Sequence, residues 1–493
     1  MEIMNKQEQK KFLLRNIVYI VLLLYLTFHL FCYFRFASSV ITFPYDIDSA
    51  EGQLLNEAFL LSRNENIYRN ISSYPFTVAN YPPIFPLVTS LFVQLFGLSL
   101  LPGRFLSVIS TFFIGFFVFK IVQRCTKDNT ISLIAGLFFF LSNWVIRWSV
   151  LLRVDMFGIL LCLIGIYLFL KYENHPRKIF FSAIFFILAL YTKQSLLAAP
   201  LSLCLYLLLT NRKRLCFKMA AVLASAGIGI FLVLNFITHG QFRLHTVSYT
   251  ISQFSIENLL FYLKLFFKGH WPIIILAASY FLIRTLKKRS TLTEIYFVLA
   301  FLVALTVGKA GASINYLIEF WMVSCILLGL VIKTAQNISG SRLLKNGMAT
   351  LILVTCLVQF FLSAYIYRPE SPNKQDRLIS SKVYSYFAAS KGDILSEYPT
   401  FLLFSGKEVL FQPFSLTQLS KRGIWNQRPI VEDIQKKRFS LILLSYGRTR
   451  WTDEMLEAIK ENYILVQRLE MYRIWGRKPP ALLFIPKEPE KMS

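Results

Sequence analysis

The sequence predicts an all-α polytopic membrane domain of about 11 to 13 transmembrane helices, followed by a small C-terminal α/β domain on the extracytoplasmic side. Three observations predict it. Of 493 residues, 55% are hydrophobic and only 16% charged, where a soluble domain carries about a quarter charged residues. Apolar runs recur through the first three quarters of the chain, separated by short basic loops. After Tyr367 the texture turns to Arg-Pro-Glu-Ser-Pro and mixed polar sequence.

Residues 1–16 read as a cytoplasmic N-terminus, because Lys6, Lys10, Lys11 and Arg15 precede the first apolar run and cytoplasmic flanks are rich in Lys and Arg. The run 17–34 lacks a small-residue cleavage site and is long, so it reads as a retained first span. An outer loop, 43–83, follows. Further spans are expected at 84–100, 104–122, 131–149, 154–171, 178–192, 195–210, 217–237, 271–284, 292–308, 315–333 and 347–366, which completes a membrane domain over 17–366. Basic loops at 171–178, 211–218 (Arg212, Lys213, Arg214), 284–290 (Arg284, Lys287, Lys288, Arg289) and 333–346 alternate with loops that would face outward. One conflict arises: strict alternation puts the basic loop 123–128 outside. Either one segment between 84 and 149 is a half-span or re-entrant piece, or that loop departs from the charge rule. In the tail, 367–493, FSLILLSY (439–446), YILVQRL (463–469) and MYRIWGR (471–477) read as strands around the helix 453–463.

Charge and cysteine content exclude other classes. Lys plus Arg is 53 against 27 for Asp plus Glu, a formal +26. In a soluble domain this would suggest nucleic acid, but here the excess lies in loops between apolar runs, so no nucleic-acid partner is expected. The seven cysteines show no CxxC spacing and lie in or beside apolar runs, so they read as core residues rather than zinc ligands or a disulfide framework.

Chemistry concentrates in the first outer loop, which opens FPYDIDSAEG. Asp46, Asp48 and Glu51 fall within six positions, and Asp48 and Glu51 at i, i+3 share a helix face. Carboxylates at a membrane surface are solvated, bind a divalent cation or act as a general base. The bland alternative is that Asp48 caps the helix 49–61. VANYPPIFP then leads into the next run, with Pro82 and Pro83 fixing the chain before the helix. RVD (153–155), YTKQS (191–195) and GKAGASINYLIE (308–319) each fall at an outward loop. Arg153, Lys193 and Lys309 are the cations available there, with Arg243 and His245 weaker candidates. Lys193 and Lys309 have an alternative role in snorkelling to headgroups, and Arg153 with Asp155 as a structural ion pair. Asn315 and Glu319, at i, i+4 beside Tyr316, either line the site or pair with each other. His29, Trp144 and Trp148 read as packed or interfacial residues.

Taken together, D-x-x-E (Asp48, Glu51), YPPIFP, LFG (95–97), GRFLS (103–107), RVD, YTKQS and GKAGASINYLIE resemble, in order, the GT-C glycosyltransferases. The specific likeness is to the protein O-mannosyltransferase and aminoarabinose-transferase-like group of bacterial inner membranes. The resemblance implies an inverting glycosyltransferase. It would move a sugar from a polyprenyl-phosphate-linked donor to a lipid, glycan or protein acceptor on the extracytoplasmic face of the plasma membrane. Asp48 would be the matching catalytic carboxylate, with Asp46 and Glu51 beside it, deprotonating the acceptor or, with Glu51, holding a divalent cation. Tyr81, Arg153, Asp155, Lys193, Lys309, Asn315, Tyr316 and Glu319 would bind substrate. In the aminoarabinose-transferase relatives a phosphate-binding lysine precedes the Pro pair; here that position is Tyr81, so phosphate recognition must come from elsewhere, with Lys193 and Lys309 the candidates. The segment 397–444 resembles the group's outer C-terminal portion. The competing reading is a lipid-linked sugar flippase or other transporter. That would place ionisable groups near mid-span, whereas these gather at span ends on one side.

Overall fold

The computed structural model describes residues 6–288, 291–337, 342–365, 369–473 and 480–488; Arg289 and the second half of the 471–477 strand expectation lie outside them. Helices dominate. Six are long and apolar enough to cross a bilayer: Tyr19–Ile41, Leu101–Thr126, Val154–Tyr172, Lys213–Ile237, Ile256–Leu286 and Ile314–Gln336. A further pair, Asn129–Leu141 and Asn143–Ser149, is bent by 72° at its break, and shorter apolar helices include Lys178–Leu190, Ala198–Leu209 and Leu292–Gly308. The early elements are α1 (Lys6–Ile41), α2 (Ser49–Ser62), α3 (Ile84–Phe96), α4 (Leu101–Thr126), α5 (Asn129–Phe138), α6 (Asn143–Ser149) and α7 (Val154–Tyr172).

The charge conflict is resolved by α3. At 13 residues it is short, against the roughly 20 needed to span. The amide of Ile84 donates to the Tyr191 carbonyl at 3.1 Å, and the Gln94 side chain reaches the Ser62 carbonyl at 3.2 Å, so α3 lies back along α2. The next helix then starts on the same side: Gly103 packs so tightly on Leu152 that a Cβ would sit 2.5 Å from its Cγ. Segment 84–100 is thus not a span, and α4 carries the chain to the basic end.

The two ends of the bundle are distinct. At one end Lys333 pairs with Asp128 (3.1 Å) and Arg212 with Glu173 (3.0 Å), while Arg124 reaches the Lys171 carbonyl at 3.3 Å. This gathers the basic loops. At the other end lie α2 and the loops around residues 153, 193 and 315. The core between them is mainly apolar, with a few buried polar groups such as His270 and Gln359, and its central helix Ile318–Gln336 buries Trp321 completely.

The outer domain carries a four-stranded sheet, β1 (Ile394–Ser396), β2 (Leu441–Leu444), β3 (Tyr463–Leu469) and β4 (Ala481–Pro486), in the order β1-β2-β4-β3. β1 and β2 are parallel, and β4 is antiparallel to both its neighbours. β2 and β3 fall within two expected strands, but the described part of 471–477 forms none; β4 takes its place in the sheet. Helix Asp453–Asn462 is the amphipathic helix expected there.

Candidate functional site

The chain after α1 turns into α2 through a capping box. Asp48 Oδ1 accepts from the Ala50 amide at 3.0 Å, and Glu51 Oε2 accepts from the amides of Ile47 (3.1 Å) and Asp48 (3.3 Å). Glu51 is also gripped by Arg104, whose Nε reaches Oε1 at 2.7 Å and Nη2 reaches Oε2 at 2.8 Å; the Leu152 amide adds 2.9 Å to Oε1. Five donors thus fill the roughly four lone-pair sites of one carboxylate. Arg104 completes the joint by donating to the carbonyls of Val40, Phe43 and Tyr45. Both side chains are fully buried. The expectation of Glu51 as catalytic group or metal ligand therefore meets a geometric obstacle: its oxygens are saturated, and it ties α1, α2, α4 and the loop before α7 together. Among the described residues no three His, Cys, Asp or Glu side chains converge on a metal site.

Asp46 also faces inward. Thr400 donates to it from Oγ1 (2.5 Å) and from its amide (3.3 Å), and burial pushes its pKa up to about 8. It fastens the outer domain to the loop. Gly52 assists, because a Cβ there would meet the Thr400 amide nitrogen at 2.7 Å.

Asp48 differs from both, retaining 18% side-chain exposure at the site, with Arg153 Nη1 3.7 Å from its Oδ1. Arg153 in turn lies 3.8 Å from Asp155 Oδ2 through Nε, and its guanidinium covers the Trp148 ring at 4.9 Å. Asp155 Oδ1 receives Lys193 Nζ and Asn315 Nδ2, each at 2.7 Å. The Lys193 ammonium rides 4.2 Å above the Tyr316 ring. Burial pulls the Lys193 pKa down, but Asp155 outweighs it, so the ammonium stays charged. Asp155, Lys193, Asn315, Tyr316 and Glu319 line one small cleft. Within this network Arg153 Nε, Asp155 Oδ2 and Asn315 Oδ1 are buried without a hydrogen-bond partner. Buried polar groups are ordinarily hydrogen-bonded; here Arg153 Nε and Asp155 Oδ2 face each other only at a long ion-pair distance and Asn315 Oδ1 accepts no bond, so the network keeps hydrogen-bond capacity for a polar ligand.

The remaining expectations sort as follows. Tyr81 is close enough that Arg153, Asp155 and Lys193 all act on its hydroxyl. Glu319 accepts from Tyr296 at 2.7 Å and does not pair with Asn315. Lys309 is exposed and pairs its backbone with Phe254. Arg243 is exposed, and His245 is a clamp: Nδ1 accepts from the Ala79 amide (3.0 Å) and Nε2 meets the Arg69 carbonyl (2.7 Å), while burial lowers its pKa to about 4. His29 meets the Phe140 carbonyl at 3.2 Å, a packing role. Sequence reasoning gave no role to Arg104, although an arginine inside an apolar helix is itself a signal. It also missed the outer-domain residues Tyr446, Arg450 and Arg473, which no local pattern marks.

The fold defines the class: this is the GT-C architecture of membrane glycosyltransferases. Residues 80–239, which include Tyr81, Arg153, Asp155 and Lys193 but not Asp48, match the family described as dolichyl-phosphate-mannose-protein mannosyltransferase, and the match indicates glycosyltransferase activity. The structure is similar to ArnT from Cupriavidus metallidurans in the apo state, with a TM-score of 0.61 at 11% identity over 93% of this chain and 97% of that one. ArnT bound to undecaprenyl phosphate gives 0.60 at 11% identity with the same coverage. The Archaeoglobus fulgidus oligosaccharyltransferase tethered to an acceptor peptide gives 0.52 at 12% identity over 94% of this chain and 76% of that one. At these identities the likeness is one of fold. No curated relative matches the chain by sequence.

Proposed function

We propose that this protein transfers a sugar, with inversion, from a polyprenyl-phosphate-linked donor to an acceptor at the extracytoplasmic face of a bacterial inner membrane, with Asp48 as general base. The observation that carries the reading is the single-sided constellation Asp48–Arg153–Asp155–Lys193, with buried polar atoms that make no hydrogen bond. The bound undecaprenyl phosphate of the similar ArnT structure supports a lipid-phosphate donor.

In the step, a lone pair of the acceptor hydroxyl forms a bond to the anomeric carbon as the bond from that carbon to the phosphate oxygen breaks. The hydroxyl proton passes to Asp48, and the bonding pair leaves on polyprenyl phosphate. Charge therefore builds on the phosphate, and fixed cations in a water-poor cleft stabilise it far better than water does. Arg153, whose Nε makes no hydrogen bond and only a long 3.8 Å ion pair with Asp155, and Lys193, which spends one N–H on Asp155, supply that charge. Asp155, itself held by Asn315, keeps Lys193 in place. Because Tyr81 stands where relatives carry lysine, Arg153 and Lys193 take over phosphate recognition. Arg104 and Glu51 set the position of Asp48 by fixing the start of α2.

The test is transfer by the purified chain from an undecaprenyl-phosphate-linked sugar into total membrane glycolipid and glycan acceptors, followed by mass spectrometry. Asp48→Asn keeps a good N-cap and removes the base. Normal transfer by that variant would overturn the role of Asp48.

A further inference from the structure

Beyond the donor side of the site, the outer domain presents a second cationic group to Asp48. Because β1 and β2 are parallel, the residues that follow them, Glu397 on one and Ser445 and Tyr446 on the other, come to one edge of the sheet, the edge where open α/β sheets bind ligands. That edge faces the start of α2. Arg450 Nη1 donates to Ser49 Oγ at 2.6 Å, one residue from Asp48. The Arg450 guanidinium lies 3.9 Å from the centroid of the Tyr446 ring, and that of Arg473 lies 5.2 Å from the same ring and 4.7 Å from Tyr398. Arg473 also donates to Tyr446 Oη (3.0 Å) and Ser445 Oγ (2.6 Å).

Two guanidinium groups thus share one tyrosine ring, and no carboxylate holds either of them in a close ion pair: the nearest, Glu397, stands 3.9 Å from Arg450. Glu397 is spent elsewhere: its Oε1 accepts from the Ser445 amide (3.0 Å), the Tyr446 amide (3.1 Å) and Trp451 Nε1 (2.7 Å), and its Oε2 shares the Tyr446 amide (3.2 Å) and stands 3.9 Å from Arg450. Asp46 is turned onto Thr400. Among the described residues Arg473 has no carboxylate within ion-pair distance although only 7% of it is exposed. Burying a charge without a counter-charge is costly, and an anionic ligand removes the cost. Burial lowers the Arg473 pKa to about 10, outweighing the more distant pull of Glu397, Asp48 and Asp46.

We infer that Arg450 and Arg473 form an anion subsite on the outer-domain side of Asp48, which selects an acceptor carrying a phosphate or carboxylate beside the hydroxyl that receives the sugar. The inference rests on the transferase reading. An inverting displacement puts nucleophile and leaving group on opposite faces of the anomeric carbon, so the two ends need separate polar poles. Arg153 and Lys193 sit on the membrane-helix side, where the lipid phosphate is anchored. Arg450 and Arg473 sit on the outer-domain side, where an acceptor enters. Their planar, five-donor forks suit bidentate capture of such groups.

Binding to the full chain in lipid nanodiscs tests it with three probes: undecaprenyl phosphate, glucose 1-phosphate and glucose. The unsubstituted chain is expected to bind glucose 1-phosphate and not glucose. Arg450→Gln and Arg473→Gln are each expected to weaken glucose 1-phosphate at least about tenfold while changing undecaprenyl phosphate less than about twofold, the reverse of Lys193→Gln. Arg450 is partly exposed and not part of the core, so its variant reports even where Arg473→Gln lowers the melting temperature. Equal loss of both phosphates would assign the pair to the donor and overturn the inference. So would failure of the unsubstituted chain to bind glucose 1-phosphate, or binding that neither substitution alters. Failure to bind undecaprenyl phosphate would instead strike the donor reading itself.

Discussion

The same helices end in two very different sets of charges. At the basic end, pairs such as Lys333–Asp128 and Arg212–Glu173 keep 24–37% of their side chains exposed, where solvent screens them and each contributes about 0–1 kcal/mol. At the site end, Glu51–Arg104 is sealed from solvent and Lys193–Asp155 nearly so, and buried polar atoms beside Asp155 lack partners. Removing one member of a buried pair strands the other. The lesson is that ion pairs alone do not mark function. Burial with leftover hydrogen-bond capacity does.

The comparison can be broken by substitution. The largest effect is expected from Asp48→Asn, which should lower kcat for transfer by about 10²–10⁴-fold, the usual scale for a general base, with little change in melting temperature. A collapse in stability of the same size would make Asp48 a structural cap. Next, Arg104→Met should cost about 3–5 kcal/mol by orphaning Glu51, read as thermal unfolding in detergent; full stability would remove the joint from the account. Lys193→Ala should raise KM for the lipid-linked donor by roughly 10–100-fold, the scale of a lost charged hydrogen bond, and that for the acceptor far less. Equal changes in both would count against a phosphate role.

A subtler contrast comes from pH. Burial raises the Asp46 pKa to about 8, so the folded state holds a proton that the unfolded chain releases near pH 4. Its contribution to stability is therefore full at acid pH and declines as pH rises from about 4 through 8. Asp46→Asn should flatten the fall in melting temperature between pH 6 and pH 9, and an unchanged slope would exclude Asp46 as its source. Smallest of all, Lys333→Ala at the basic end should shift stability by less than about 1 kcal/mol and leave transfer intact; a marked loss of activity there would sharpen the comparison into one of coupled ends.

Much of the fold was legible because apolar run length and basic loops depend only on local composition, and the bland reading of Asp48 as a helix cap placed the start of α2 at Ser49, while the part Glu51 plays in that cap was not read. Composition could not say which segment between 84 and 149 falls short of a span: 84–100 is apolar enough to read as one, but its helix is short and lies along α2. The acidic cluster was legible as a cluster and not as three separate roles. Asp46 holds Thr400, Glu51 holds Arg104, and Asp48 faces the site; partners 53 to 354 positions away set each direction.

The sequence by itself determined that the chain is a membrane protein with its chemistry-bearing side chains at one end of the spans, since hydropathy and charge placement answer to lipid and water one segment at a time. Only the tertiary structure decided which carboxylate of the acidic cluster stays partly exposed beside Arg153, and that Arg450 reaches the start of α2 from the outer domain. Those outcomes depend on burial and on contacts between residues far apart in the chain, and such contacts exist only once the chain has closed on itself.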